Sequence, residues 1–259
     1  MPVSPWFVST SDATAPARVY CFPPAGGDPT AFLAWQPALG PDAEIVGVCA
    51  PGRAHRADER AAASVDELAD GAAAAIVGHA DRAVYLFGHS FGALVAFEVA
   101  RRLGGRAAPR HVVASGCEAP RRNPSEYIVW SDGNHGRVFA REAARFMGLS
   151  ETFLAADDEV QELLLADLRA DVSLLAAYRY RPAPRLGVGI TLVCGRDDPH
   201  VRPNGLAAWQ EECAVPCEFH WQDGDHFYLD RRPEAVTDII RAVVTGARRP
   251  TADLHVEVI

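Results

Sequence analysis

The run Val84-Tyr85-Leu86-Phe87-Gly88-His89-Ser90-Phe91-Gly92-Ala93-Leu94 constrains the fold more than any other part of the chain. An apolar stretch of strand character enters the pattern G-x-S-x-G and passes directly into a helical pattern. A turn that tight leaves no room for a side chain at Gly88 or Gly92. It forces Ser90 into a strained conformation and lifts its hydroxyl above the end of a sheet. The N–H of Phe91 opens the next helix and points where an oxyanion would form. A coincidental glycine–serine turn has no reason to lie between a strand and a helix.

The rest of the chain supplies the sheet. Arg18–Phe22, Glu44–Cys49, Ala83–Gly88, His111–Ser115 and Ile190–Gly195 are mostly continuous apolar runs, as expected of parallel strands covered on both faces. Cys217–Trp221 alternates and reads as an edge strand. Helical patterns lie between them. Ser64-Val65-Asp66-Glu67 is a capping box that starts an Ala-rich helix reaching about His79. Further helices are expected over Ala93–Leu103, around Trp209 and over Val236–Val244. This alternation predicts an α/β fold with a mostly parallel central sheet and helices on both faces, in one domain spanning 1–259.

One connection is too long for a crossover helix: about 74 residues separate Ser115 from Ile190. Residues 117–187 are therefore read as an insertion, with helices near Gly136–Phe146 and Glu159–Tyr180. In the second, Leu165, Leu168, Val172 and Leu175 share one face. Tyr127, Trp130, Phe139, Phe146, Met147 and Phe153 could pack the insertion onto the body or line a pocket beneath it.

A serine needs a base, and the base needs an orienting carboxylate. His226, in Gly224-Asp-His-Phe-Tyr228 after the last strand, is the candidate base. His220 lies inside a strand, His89 inside the turn, and His79 and His111 at element ends, where structural roles suffice. Asp198, beyond a strand end and held between Gly195 and Pro199, is the preferred orienter; Asp197 and Glu118 are alternatives. The chain order Ser90, Asp198, His226 is that of an α/β-hydrolase. A second oxyanion donor should come from Phe22-Pro-Pro-Ala-Gly-Gly27. Pro23 and Pro24 have no N–H, so the donor is Ala25 or a glycine, with Ala25 preferred.

Together these residues resemble the type II thioesterases of polyketide and nonribosomal peptide synthesis. The matching pieces are Phe22-Pro-Pro-Ala-Gly-Gly27, Pro51-Gly-Arg53, Gly88-His-Ser-Phe-Gly92, Arg169-Ala-Asp171, Gly195-Arg-Asp-Asp-Pro199 and Gly224-Asp-His-Phe227. They follow the family's order along nearly the whole chain. The family often has His where this chain has Pro24, and Tyr127–Gly136 looks atypical. The resemblance implies a stand-alone hydrolase that removes aberrant or stalled acyl groups from the phosphopantetheine arm of acyl or peptidyl carrier proteins. It supports Ser90 as nucleophile, His226 as base, Asp198 as orienter, and Ala25 and Phe91 as oxyanion donors. It also implies that the insertion is a mobile helical lid.

Composition narrows the partners. The net charge is −9 and every cation in the Lys+Arg count is Arg, so a general nucleic-acid coat is not expected. No apolar run is long enough for a membrane span, and the first ten residues lack the pattern of a secretion signal. Six cysteines in 259 residues fit reduced thiols in the cytoplasm. No His or Cys spacing asks for a metal, and no cofactor is expected. Nothing calls for an oligomer, so a monomer is expected. Arg53, Arg56, Arg60, Arg121 and Arg122 could meet an acidic carrier protein, although solvated charge is the plainer reading. Two alternatives stand beside the editing hydrolase. One is a general serine esterase or chain-releasing thioesterase. The other is a non-catalytic binding protein of the same fold, which would be expected to lack a member of the triad.

Overall fold

A computed structural model describes residues 4–10, 14–122, 139, 143 and 157–247. The apolar runs form a seven-stranded sheet in the order β1-β3-β2-β4-β5-β6-β7. Its strands are β1 (Phe7–Ser9), β2 (Ala17–Phe22), β3 (Glu44–Val48), β4 (Ala83–His89), β5 (His111–Ser115), β6 (Gly189–Gly195) and β7 (Glu218–Gln222). All neighbours are parallel except β1, which runs antiparallel to β3. Sequence reading misses β1, since three residues are too few to show a period. It places β7 at an edge, where it lies.

The helices are α1 (Gln36–Leu39), α2 (Val65–His79), α3 (Phe91–Ala100), α4 (Asp158–Ala177), α5 (Pro203–Ala207), α6 (Tyr228–Arg231) and α7 (Glu234–Thr245). Ser64 caps α2 by accepting from the Glu67 N–H at 3.0 Å. The reciprocal bond falls one residue early: the Glu67 carboxylate accepts from the Ala63 N–H at 2.7 Å instead of reaching Ser64. Trp209 lies in a 3-10 turn (Ala208–Glu211) just beyond α5 instead of in a longer helix. Leu165, Leu168, Val172 and Leu175 are all buried along α4. Phe139 and Ala143 are helical and pack on that face. Tyr127, Trp130, Phe146, Met147 and Phe153, and the segment Tyr127–Gly136, lie outside the described residues.

Two apolar layers clamp the sheet. One gathers α2, α3 and Trp209; the other gathers Phe32, Trp35, Ile239 and Ile240. Each fully buried large aliphatic or aromatic side chain contributes about 1.5–3 kcal/mol. α3 is buried at every residue, so it is the central helix of its layer.

Topology then fixes the site. From β2 the chain moves outward to β3, then crosses back so that β4 lies on the other side of β2. Strand order reverses there, and loops leaving neighbouring strands part to leave a crevice. The register pairs Phe22 with Gly88. The loops carrying Ala25 and Ser90 therefore leave the sheet side by side.

Candidate active site

Ser90 stands between β4 and α3 with φ 55° and ψ −121°, a region that side chains other than glycine rarely occupy. Both flanking glycines are required by close approach. A Cβ at Gly88 would lie 2.2 Å from the Gly92 carbonyl oxygen, and one at Gly92 would lie 2.1 Å from that of Phe22. The Ser90 N–H donates to the Ser115 carbonyl at 2.8 Å, which ties the turn to β5.

His226 lies in the loop after β7, with Nδ1 2.8 Å from Asp198 Oδ2. Both side chains are almost fully buried. Asp198 follows β6, and its Oδ1 accepts the His200 N–H at 2.9 Å. The two alternative carboxylates are elsewhere. Asp197 is exposed, and Glu118 accepts from both the N–H and the guanidinium of Arg202. A neutral Nδ1–H donating to Asp198 would leave Nε2 as the basic nitrogen.

The oxyanion side is read from where the N–H groups go. The Gly26 N–H donates to Asp171 at 2.8 Å and the Gly27 N–H to the Pro24 carbonyl at 2.9 Å. Among the described residues no acceptor stands against the N–H of Ala25 or of Phe91. Phe91 N–H belongs to the first turn of α3, where intrahelical acceptors are missing and the helix dipole is positive. A cavity of about 240 Å³ opens beside this loop, lined by Pro24, Ala25, Phe32, Trp35, His89 and Phe227.

His89 is a neighbour that sequence reading treated as incidental. It is fully buried, its ring centroid is 4.8 Å from that of His226, and its Nδ1 lies 2.8 Å from Ser115 Oγ. Ser115 Oγ in turn lies 2.7 Å from the Tyr228 hydroxyl. Burial first, and then the neighbouring His226, hold the His89 imidazole well below its usual range. It therefore stays neutral against the base. Two thiols also border the carboxylate. Cys194 Sγ is 3.9 Å from Asp198 Oδ2. Burial, then Glu118 and Asp198, push the Cys117 thiol up to about 12.

Two of the five arginines considered for docking are tied inward, and two more are paired at the surface. Arg53 and Arg56 are largely buried; Arg53 pairs with Asp167 and Asp171, and Arg56 with Glu59 and the Cys49 carbonyl. Arg60 pairs with Glu67, and Arg121 with Glu211 and Glu212. Arg122 is exposed. Sequence reading did not give Asp171 a role. Its signal was a carboxylate three residues after Leu168 and four before Leu175, on the buried face of α4. Among the described residues no cluster of three His, Cys, Asp or Glu is placed to hold a metal, and no helix is long and apolar enough to cross a membrane.

The sequence matches the family described as "Thioesterase domain" over residues 17–244. It is 35% identical over 239 residues to Thioesterase PikA5 of Streptomyces venezuelae, covering 91% of this chain and 84% of that protein. The structure resembles the type II thioesterase BorB from the borrelidin biosynthetic cluster. The TM-score is 0.79 at 30% identity, over 92% of this chain and 97% of that one. It also resembles YbtT, a type II thioesterase from the yersiniabactin NRPS/PKS pathway. There the TM-score is 0.79 at 28% identity, over 93% and 99% of the chains.

Proposed function

The chain belongs to the thioesterase domain family, and from that premise we propose that it hydrolyses acyl thioesters borne on the phosphopantetheine arm of acyl or peptidyl carrier proteins, clearing aberrant or stalled groups. One observation carries the reading. A serine in a strained strand–helix turn directly follows His89, whose ring lies 4.8 Å from that of His226, itself paired with the buried Asp198, and the N–H groups of Ala25 and Phe91 have no acceptor among the described residues. Relatives named as type II thioesterases of assembly-line pathways support the substrate class.

The reaction runs in two halves. Ser90 Oγ attacks the thioester carbonyl as His226 Nε2 takes its proton. Negative charge gathers on the carbonyl oxygen, where the N–H groups of Ala25 and Phe91 receive it. The C–S bond breaks, the pantetheine sulfur leaves with the proton held by His226, and an acyl ester remains on Ser90. Water then gives a proton to His226 and attacks the ester. Collapse returns that proton to Ser90 and frees the carboxylic acid. Asp198 holds the His226 tautomer and stabilises its charged form throughout.

The test compares wild type with Ser90→Ala on short acyl groups loaded on a phosphopantetheinylated carrier protein, with the matching oxygen esters in parallel. Turnover of the acyl carrier that exceeds ester turnover and vanishes in Ser90→Ala is expected. Turnover of oxygen esters alone would replace the reading with a general esterase. A folded protein that turns over neither would make the chain a binding protein.

A further inference from the structure

Asp171 belongs to the insertion helix, yet both oxygens of its carboxylate are spent on loops of the sheet. Oδ2 accepts the Gly26 N–H at 2.8 Å, from 145 residues away in sequence. Oδ1 accepts Arg53 Nη2 at 2.8 Å. Arg53 also donates to the Asp167 carbonyl at 3.1 Å, one helical turn earlier. The side chain is buried beside Leu168, Val172 and Leu175. A carboxylate held there is costly unless its lone pairs are taken, and charge-assisted bonds take them. Burial pushes the Asp171 carboxyl up, while Arg53 and the Gly26 N–H pull the other way.

Packing repeats the message. Gly26 has φ +70°, and a Cβ there would lie 2.9 Å from Leu168 Cβ. Helix α4 therefore rests directly on the loop. Ala25 packs against the cluster of Phe139, Ala143, Leu165, Leu168 and Val172. Ala25 stands between two restrained peptides. The peptide before it is held through the Pro24 carbonyl, which accepts the Gly27 N–H at 2.9 Å. The peptide after it is held through the Gly26 N–H, which reaches Asp171. Between them the Ala25 N–H is left without an acceptor among the described residues.

We infer that Asp171, held in place by Arg53, is a positioning residue that aims the Ala25 N–H at the oxyanion, so that the insertion helix takes part in transition-state stabilisation without touching substrate. The inference rests on the reading above that Ala25 is an oxyanion donor. An oxyanion donor acts on charge that develops in the transition state, so misaiming it lowers kcat and leaves KM nearly unchanged.

The experiment uses Asp171→Ala, Asp171→Asn and, as a control, Glu98→Gln. Glu98 is a buried carboxylate bonded to Arg101, Arg102 and Tyr178 at the far end of α3. Two rates are read: hydrolysis of an acyl-carrier thioester, and labelling of Ser90 by an alkyl fluorophosphonate, whose phosphoryl oxygen needs the same donors. Asp171→Ala should lower kcat and the labelling rate together by at least tenfold, with KM within about twofold. Asp171→Asn keeps an oxygen for the Gly26 N–H but turns its amide N–H2 toward the Arg53 donors, so it should recover part of that loss. Glu98→Gln should lower melting temperature to a similar extent and leave both rates near wild type. Unchanged rates in Asp171→Ala, or an equal loss in Glu98→Gln, would overturn the inference. If wild type labels but does not hydrolyse the thioester, the thioesterase reading fails. The labelling rates then still decide the inference. A wild type that does not label would overturn both.

Discussion

The strained backbone at Ser90 should make Ser90→Gly more stable than Ser90→Ala. At φ 55° and ψ −121° a residue with a Cβ carries a cost of about 1–3 kcal/mol, which glycine does not. Glycine has its own cost, about 0.4–1 kcal/mol from the freer unfolded chain. Ser90→Ala keeps the Cβ and removes only the hydroxyl, so it isolates the comparison. Subtracting one effect from the other leaves Ser90→Gly more stable than Ser90→Ala by roughly 1 kcal/mol. In a domain of this size that shifts melting by about 2–4 °C. Both variants lack the hydroxyl, so on the proposed mechanism neither forms an acyl-enzyme that would confuse the measurement. Urea unfolding of the two proteins side by side gives the difference in midpoint at constant slope. A Ser90→Gly protein equal to or weaker than Ser90→Ala would refute the reasoning. It would mean that the turn stores no strain and that the serine is held up by its neighbours alone.

Other perturbations probe the same frame. Gly92→Ala should destabilise by at least about 2 kcal/mol in denaturant unfolding, because its Cβ meets the Phe22 carbonyl at 2.1 Å; a gain, as at an ordinary helix glycine, would count against that packing. Asp198→Asn should lower kcat on an acyl-carrier thioester by roughly 10³–10⁴-fold with the fold intact by circular dichroism, and a loss under tenfold would remove Asp198 from its role. His89 is neutral in the fold and takes its proton near 6.5 when unfolded, so its contribution is complete above that pH and declines as pH falls below it. The decline approaches about 1.4 kcal/mol per pH unit, and unfolding curves from pH 7 to 5 should be flatter by that amount in His89→Gln. Parallel curves would show that His89 takes its proton as readily in the folded protein as in the unfolded chain.

What the sequence made legible was local. The turn at Ser90 could be read because strand, glycines and helix are consecutive, and the inner strands because both their faces are apolar. β1 escaped since Phe7–Ser9 is short and pairs on one side only. His226 stands out as the candidate base because the histidines weighed against it, His220, His89, His79 and His111, lie within regular elements or at their ends. Asp198 is preferred as orienter from its place between Gly195 and Pro199, but Asp197 and Glu118 stay as alternatives, since neighbouring carboxylates differ only in direction. Arg53 and Arg56 look like solvated charge from sequence, because the carboxylates and carbonyls that receive them are set by tertiary contact. The bond from Asp171 to Gly26 joins segments 145 residues apart, and no local period encodes it. His89 was set aside as the variable position of the turn, although its neutrality depends on a burial that only the assembled sheet provides.

The buried thiols have a chemical consequence for a protein that handles thioesters. Any thiolate near an acyl thioester can capture the acyl group by exchange and strand it on sulfur. Only the deprotonated form is a competent nucleophile. Cys194 lies against the Asp198 carboxylate and Cys117 against Glu118; burial, with the negative charge of Asp198 for Cys194 and of Glu118 and Asp198 for Cys117, keeps both protonated. On the proposed mechanism, the same carboxylate that supports the charged form of His226 also suppresses sulfur nucleophiles around it. Under that same proposed mechanism, acyl groups reaching this crevice meet the Ser90 oxygen as the activated acceptor, and the ester so formed is open to water.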